Sequence, residues 1–207
     1  MFLRTQSEKA LLFWYRDAAY TQPVKTIEPG TYGNLTLYAK WRGAQYTVHY
    51  DGNGAESGEE ADTSHEYMIG KTPLSLGNGF YKKGYHVDAW YLNPRCTGRK
   101  ITAGYQKNDL SSINGDKVAL YAHWAKNTYN VAYNGNGATG GKTTPSKFTY
   151  DQAAKLKGNG FRRTGYIFTG WNTKADGSGT MYNLAVISLG KVKNLTEEKN
   201  GTVTLYA

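Results

Sequence analysis

Gly135, Gly137 and Gly140, within the stretch YNGNGATGG, spell G-x-G-x-x-G, the spacing that lets a backbone approach a pyrophosphate at a helix N-terminus. That chemistry needs a strand before the glycines, a helix directly after them and an acid about 20 residues further on. Only the strand is legible. The residues after Gly140 read GKTTPSKFTY, with Pro145 and β-branched residues, and an earlier copy of the stretch, YDGNGAESG, carries Ser57 in place of the last glycine. Asn-Gly readily takes the left-handed backbone of a type I′ turn, so both copies are read as the turn of an opening hairpin. No cofactor-binding residue is assigned.

His49, His65, His86 and His123 all fall between residues 44 and 125. By period-two parity, His49, His86 and His123 project from the outer faces of three strands, where neutral imidazoles could converge on zinc or nickel. No H-x-H pair exists, and the matching positions further along hold Ala132 and Ile167, so surface histidines are the favoured reading and no metal ligand is assigned. Cys96 is the one cysteine and has Gly177 at its matching position. No carboxylate pair, Ser/His/Asp set or Cys/His set recurs in both copies; a non-enzyme is expected, with no catalytic residues.

Anion recognition is the remaining chemistry. The net charge is +9, yet residues 126–207 hold 11 of the 25 Lys and Arg and 4 of the 16 acids, while residues 44–125 hold 8 and 9. Lys155, Lys157, Arg162 and Arg163 flank one GNGF loop, making them the candidate ligand-binding residues for a polyanion or carbohydrate. A nucleic-acid module would repeat a basic stripe with stacking aromatics in each copy, so nucleic acid is not an expected partner. Host glycan or protein, or an anionic cell-wall polymer, fits better. Trp rings could also stack on sugar. Trp41 and Trp124 close a strand with inward Leu and Ala and are expected to cap the core, whereas Trp90 and Trp171 share a mixed face and are the better candidates for exposed rings.

These residues sit on a repeat. YTVHYDGNGA from Tyr46 returns as YNVAYNGNGA from Tyr129; GNGFYKKGYHVDAW from Gly77 returns as GNGFRRTGYIFTGW from Gly158; LTLYAKW from Leu35 returns as VALYAHW and VTLYA. The period is domain-sized, so each copy can hold its own core. Cutting at the polar joins RGAQ and AKNT gives residues 44–125 and 126–207 as complete repeats and 1–43 as the C-terminal part of a truncated one. The last strand is expected to run on past Ala207 to a basic residue and a Trp. Eighteen tyrosines and 25 glycines indicate short aromatic-rich strands and glycine turns. Tyr46, Val48 and Tyr50 share one buried face, as do Tyr85, Val87 and Ala89. HEYMIGKTPLSL and FTYDQAAKLK each offer one more strand and a short helical turn. No apolar run approaches the 18 or so residues a membrane helix requires, so no membrane insertion is expected in this segment.

The succession Y-x-V-x-Y-[DN]-G-N-G-A, then F-x-[RK]-x-G-Y-x-F-x-G-W-N, D-G-S-G-T and T-L-Y-A-K-W resembles the Listeria-Bacteroides repeat, the family that includes the B-repeat of internalin. The resemblance is most specific over Thr164–Tyr182 and Asn34–Trp41. It implies an α+β, predominantly β fold: small β-grasp-like domains in tandem, forming an elongated array. It also implies an extracellular place on the bacterial cell surface, Gram-positive in type, and no catalytic residues. The expected function is a semi-rigid spacer and adhesion or interaction module, monomeric within a larger multidomain protein. The alternative is a polyanion- or carbohydrate-binding module acting through the basic third repeat.

Overall fold

A computed structural model of the chain describes residues 9–67, 79–102, 104–105 and 108–207. The chain begins with β1 (Lys9–Tyr15), β2 (Pro23–Val24) and β3 (Tyr38–Gly43), an antiparallel sheet in the order β2-β1-β3. Next come β4 (Gln45–Asp51), β5 (Ser57–Gly58), β6 (Thr63–Glu66), β7 (Phe80–Tyr81), β8 (Tyr85–Tyr91), β9 (Lys100–Ile101) and β10 (Asp116–Lys126). Five of these form a sheet in the order β6-β4-β10-β8-β9, and β5 pairs with β7 as a separate ribbon. The pattern then recurs with β11 (Thr128–Asn134), β12 (Gly140–Gly141), β13 (Ser146–Thr149), β14 (Phe161–Arg162), β15 (Gly170–Asn172), β16 (Met181–Asn183), the helix α1 (Leu184–Ser188) and β17 (Thr202–Tyr206). The sheet order is β13-β11-β17-β15-β16, with β12 against β14 as the ribbon.

The described residues are thus predominantly β. Each five-stranded sheet is mixed, because the first and last long strands of a repeat run parallel: β4 beside β10 and β11 beside β17. The described residues cluster into two units. The first takes in those up to Asn53, Gly58–Phe80 and Ala89–His123; the second takes in Gly54–Ser57, Tyr81–Asp88 and Trp124–Ala207. The division does not follow the repeat, since residues 81–88 cluster with the copy that comes after them.

The opening strands alternate as the period-two pattern predicts. Tyr46, Val48 and Tyr50 are buried, and so are Tyr129, Val131 and Tyr133. In the second unit these rings join Phe148, Leu156, Trp171, Ile187 and Leu205 in one core.

The Trp assignment inverts. Trp90 is 1% exposed and Trp171 0%, while Trp41 is 48% exposed and Trp124 is half-buried. Every residue of β8 is at least partly covered, so alternation along it cannot mark the inward face. Bulk decides instead. Trp90 fills the space between Tyr50 and Phe80 (ring centroids 5.1 and 6.0 Å), and Trp171 the space between Tyr133 and Phe161 (4.8 and 6.2 Å).

Asn136 (φ 46°) and Gly137 (φ 85°) hold the left-handed pair of a type I′ turn, closed by Ala138 N–H donating to the Gly135 carbonyl at 3.0 Å. Asn53 and Gly54 repeat it with φ 45° and 84°. The flanking strands do not pair with each other, however. β11 pairs with β13 and β17, and β12 with β14. The turn therefore sends the chain off the sheet into the ribbon, and the expected hairpin is closed one strand later. The helical turn also lies elsewhere: residues 148–157 contain none, and α1 is capped by Asn183, whose side chain accepts from Val186 N–H at 3.1 Å. The corresponding expectation in HEYMIGKTPLSL lies mostly outside the described residues.

The ribbon explains the GNGF loop. A Cβ on Gly160 would lie 2.2 Å from the Lys142 carbonyl oxygen, and one on Gly141 would lie 2.1 Å from the Gly160 carbonyl oxygen. The two backbones are too close for any side chain. Gly160→Ala is expected to cost about 1–3 kcal/mol of stability through overpacking, read as a lower urea midpoint with an unchanged slope.

Candidate functional site

The second unit carries a groove of about 420 Å³, bordered by Asn136, Asn159, Phe161, Arg162, Arg163 and Tyr166 among others. Its elements are the type I′ turn, the ribbon strand β14 and the segment leading to β15. Arg163 is held from two sides. Its Nη1 donates to the Asn136 carbonyl at 3.2 Å, and its guanidinium lies 4.0 Å from the centroid of the Tyr166 ring, a cation–π geometry. Tyr166 is 67% exposed and Ile167 90%. A guanidinium backed by an exposed ring beside an Asn amide offers charge, a flat apolar face and hydrogen-bond donors.

Of the four basic residues singled out from sequence, Arg162 and Arg163 line this groove and the two lysines do not. Lys155 Nζ donates to the Ser188 carbonyl at the end of α1 (3.2 Å), where a cation suits the helix terminus. Lys157 Nζ donates to Thr144 Oγ1 (2.5 Å) and the Pro145 carbonyl (3.1 Å), tying the start of the GNGF loop to the connection between β12 and β13.

Asn136 organises the floor. Its Nδ2 donates to the carbonyls of Ala175 (2.8 Å) and Ala207 (3.0 Å), joining the turn to the DGSG loop and to the end of β17. In the first unit Asn53 Nδ2 likewise donates to Ala122 and Pro94 carbonyls (2.9 and 3.0 Å). Sequence alone marks Asn136 only for its turn; the recurrence of Asn in both copies is the signal that points to this second role. Asn136→Ala removes both bonds and places Ala at a positive φ, an expected loss of about 2 kcal/mol in urea unfolding.

The histidines each have their own surroundings. His49 Nδ1 bonds Asp62 (2.8 Å), and His86 Nδ1 bonds Asn127 Oδ1 (2.7 Å). The His123 ring meets Tyr91 edge-on. His65 bonds Thr63 and stacks on Tyr46 with centroids 5.6 Å apart. Among the described residues no three His, Cys, Asp or Glu gather as a metal site. Burial holds the His65 imidazole below its ordinary value of 6.5. The unfolded chain therefore binds the proton more tightly than the fold, and the His65 contribution is intact above pH 6.5 and lost as pH falls below it. Urea midpoints should fall from pH 7 to pH 5, and His65→Gln should flatten that dependence.

A further polar cluster lies where residues 81–88 meet Asn127 and its neighbours, all within the second unit. Tyr85 OH donates to Asp151 Oδ2 (2.8 Å) and its ring meets Tyr150 edge-on at 5.9 Å. Hydrogen bonds from Asn194 and then Tyr85 hold the Asp151 carboxyl below its usual value.

The family model for the Listeria-Bacteroides repeat domain matches residues 46–123 and again 129–207. A protein of Evansella cellulosilytica named "Putative membrane protein" is 30% identical over 180 residues, which is 84% of this chain and 24% of the relative. Another from the same organism, named "Putative Gly-rich membrane protein", is 29% identical over 127 residues, 61% of this chain and 13% of the relative. The chain thus spans a quarter or less of the length of these curated relatives. No solved structure matches. Among the described residues no helix is long and apolar enough to cross a membrane.

Proposed function

Since the chain belongs to the Listeria-Bacteroides repeat family, we propose that it is a non-catalytic tandem segment of a larger bacterial cell-surface protein, serving as a semi-rigid spacer outside the cell. The carrying observation is the form of the joins. One residue, Ala44, separates β3 from β4, and one, Asn127, separates β10 from β11; both are buried. A buried one-residue join has none of the freedom of a flexible linker. The sheet order, with parallel outer-sequence strands side by side, supports a β-grasp-like repeat, and the relatives' names as membrane proteins support the envelope. Small-angle scattering of the full chain tests the reading: an extended, stiff particle is expected, and a compact or freely hinged one would overturn it.

Adhesion is the second reading, favoured by the Arg163–Tyr166 groove. It takes an anionic glycan or wall polymer, with Arg162 and Arg163 as the contacts and Lys155 and Lys157 supporting the loop. Binding of the full chain to a sulfated polysaccharide should weaken with salt and drop about ten-fold in the Arg162→Gln/Arg163→Gln variant. Binding that ignores both would remove this reading and leave the spacer intact.

A further inference from the structure

Seven Asn-Gly pairs lie along the chain, at Asn53, Asn78, Asn114, Asn134, Asn136, Asn159 and Asn200. The pair has a chemistry of its own. Glycine carries no Cβ to shield its nitrogen, so that nitrogen can reach the side-chain carbonyl carbon of the asparagine before it and close a five-membered ring. A hydrogen bond on the side-chain amide, or on the glycine N–H, holds the reacting atoms apart. The fold places such bonds unevenly.

Asn53 and Asn136 are each held through Nδ2 by two carbonyls. Asn134 Oδ1 accepts from Asn136 N–H at 2.8 Å. Asn114 Oδ1 accepts from Gln45 N–H at 3.1 Å, and Gly115 N–H donates to the Gln45 carbonyl at 2.7 Å. Asn159 bonds both the N–H and the carbonyl of Phe161 (2.8 and 3.1 Å), and Gly160 N–H donates to Thr143 Oγ1 at 2.9 Å. Asn78 is outside the described residues. Asn200 differs from all of these. It is exposed, and its side chain makes no hydrogen bond among the described residues. Gly201 N–H closes a turn onto the Glu198 carbonyl at 3.2 Å, with Asn200 held at φ 59°, a conformation that local opening relieves.

The same pair starts a ladder. Asn200 N–H donates to the Thr128 carbonyl at 2.7 Å, and the Gly201 carbonyl accepts from Asn130 N–H at 2.9 Å. These bonds lead into the parallel pairing of β11 with β17, which begins at Asn130↔Thr202. The matching place in the preceding copy is Gly115-Asp116, where Gly115 N–H makes the equivalent bond to the Gln45 carbonyl. That copy has the bond without the reactive pair.

We propose that Asn200-Gly201 is a self-modifying site, at which the chain converts its own backbone and so loosens the base of the β11–β17 ladder. When the turn opens, water or hydroxide takes the Gly201 amide proton and the nitrogen attacks Asn200 Cγ. The N–Cγ bond forms as the Cγ–Nδ2 bond breaks, and ammonia leaves with a proton from water. Water then opens the succinimide. Addition at Cγ gives aspartate on an unchanged backbone. Addition at the main-chain carbonyl gives isoaspartate, whose backbone runs through Cβ and Cγ and is one carbon longer. The longer backbone does not keep Asn200 N–H on Thr128 and the Gly201 carbonyl on Asn130 together, and either product adds a negative charge to the basic repeat. The reaction depends on neither the spacer role nor the adhesion role.

The freshly folded full chain is held at pH 7 and at pH 9 and digested at intervals. Conversion is read as the mass gained when NH2 is exchanged for OH, and isoaspartate by its methylation with an isoaspartyl methyltransferase. Asn200 is expected to convert about ten-fold or more faster than Asn53, Asn114, Asn134, Asn136 and Asn159, and faster at pH 9 than at pH 7. In the urea-unfolded chain, where no side chain is held, the pairs should convert at similar rates. Conversion at Asn200 in the folded chain no faster than at the held asparagines overturns the proposal. In the isoaspartate form, hydrogen exchange at the Asn130 amide should accelerate by about ten-fold while Leu205 and Val48 stay protected. Asn200→Asp carries the charge on an unchanged backbone and should leave Asn130 protected. An isoaspartate chain whose Asn130 amide exchanges as slowly as in the fresh chain overturns the effect on the ladder.

Discussion

Trp171→Ala is expected to lower the stability of the second unit by about 3–5 kcal/mol, the range for removing a large buried aromatic. The ring is 0% exposed and is wedged between Tyr133 and Phe168 at centroid distances of 4.8 and 4.9 Å. Its indole N–H also donates to the Lys157 carbonyl at 2.8 Å, so truncation opens a cavity and leaves a carbonyl without its donor. Against a total of about 5–15 kcal/mol for a domain, that loss should populate a state with the second unit open. Urea unfolding followed by far-UV circular dichroism should change from one transition to two, the earlier one carrying the signal of the second unit. Trp171→Phe keeps a ring and should recover more than half of the loss. Trp14→Ala, at a position 44% exposed, should move the curve by less than about 1 kcal/mol. A Trp171→Ala chain as stable as the parent would mean that the core does not depend on this ring.

Asn127→Ala is the second large effect. The residue is 6% exposed and all its hydrogen-bonding groups are engaged. Its N–H donates to the Gly84 carbonyl and its carbonyl accepts from Tyr150 N–H, both at 2.8 Å. Its Oδ1 meets His86 Nδ1, and its Nδ2 donates to the Glu197 carbonyl, both at 2.7 Å. Alanine keeps the backbone pair and strands the other two partners, an expected loss of about 2–4 kcal/mol from two groups left unsatisfied. Amide exchange should accelerate at Gly84 to His86 and near Glu197 while Val48, in the first unit, stays protected. Asn127→Asp keeps the acceptor for His86 but turns an acceptor toward the Glu197 carbonyl, so it should rescue only part of the loss. Ala44, at the matching join, has no polar side-chain group, and its backbone carbonyl accepts from Tyr67 N–H at 2.8 Å.

What was legible in the sequence depended on whether a residue's role is local. Asn136 and Gly137 announce a type I′ turn because φ preference belongs to the residues themselves. That the turn closes no hairpin was hidden, since the partners of β11 are β13 and β17, one of them about 70 residues away. The inward face of β4 and β11 could be read because fully buried residues alternate there with less covered ones. β8 could not be read the same way, because both its faces are covered and parity loses its meaning. Of the basic cluster, proximity in sequence united Lys155, Lys157, Arg162 and Arg163, but the chain turns between them and only the arginines reach the groove. The repeat itself was plain from letters alone, whereas the assignment of residues 81–88 to the unit that comes after them is a three-dimensional fact.

The parallel pairing of first and last strands has a consequence under load. In each repeat the strand that receives the chain and the strand that delivers it lie side by side, five register pairs for β11 with β17 and six for β4 with β10. Tension applied through the two ends pulls these neighbours past each other along their length. The ladder between them then resists as a set in shear, rather than opening one bond at a time like a zipper. A segment stretched between an envelope and whatever it holds would meet force with its most cooperative seam.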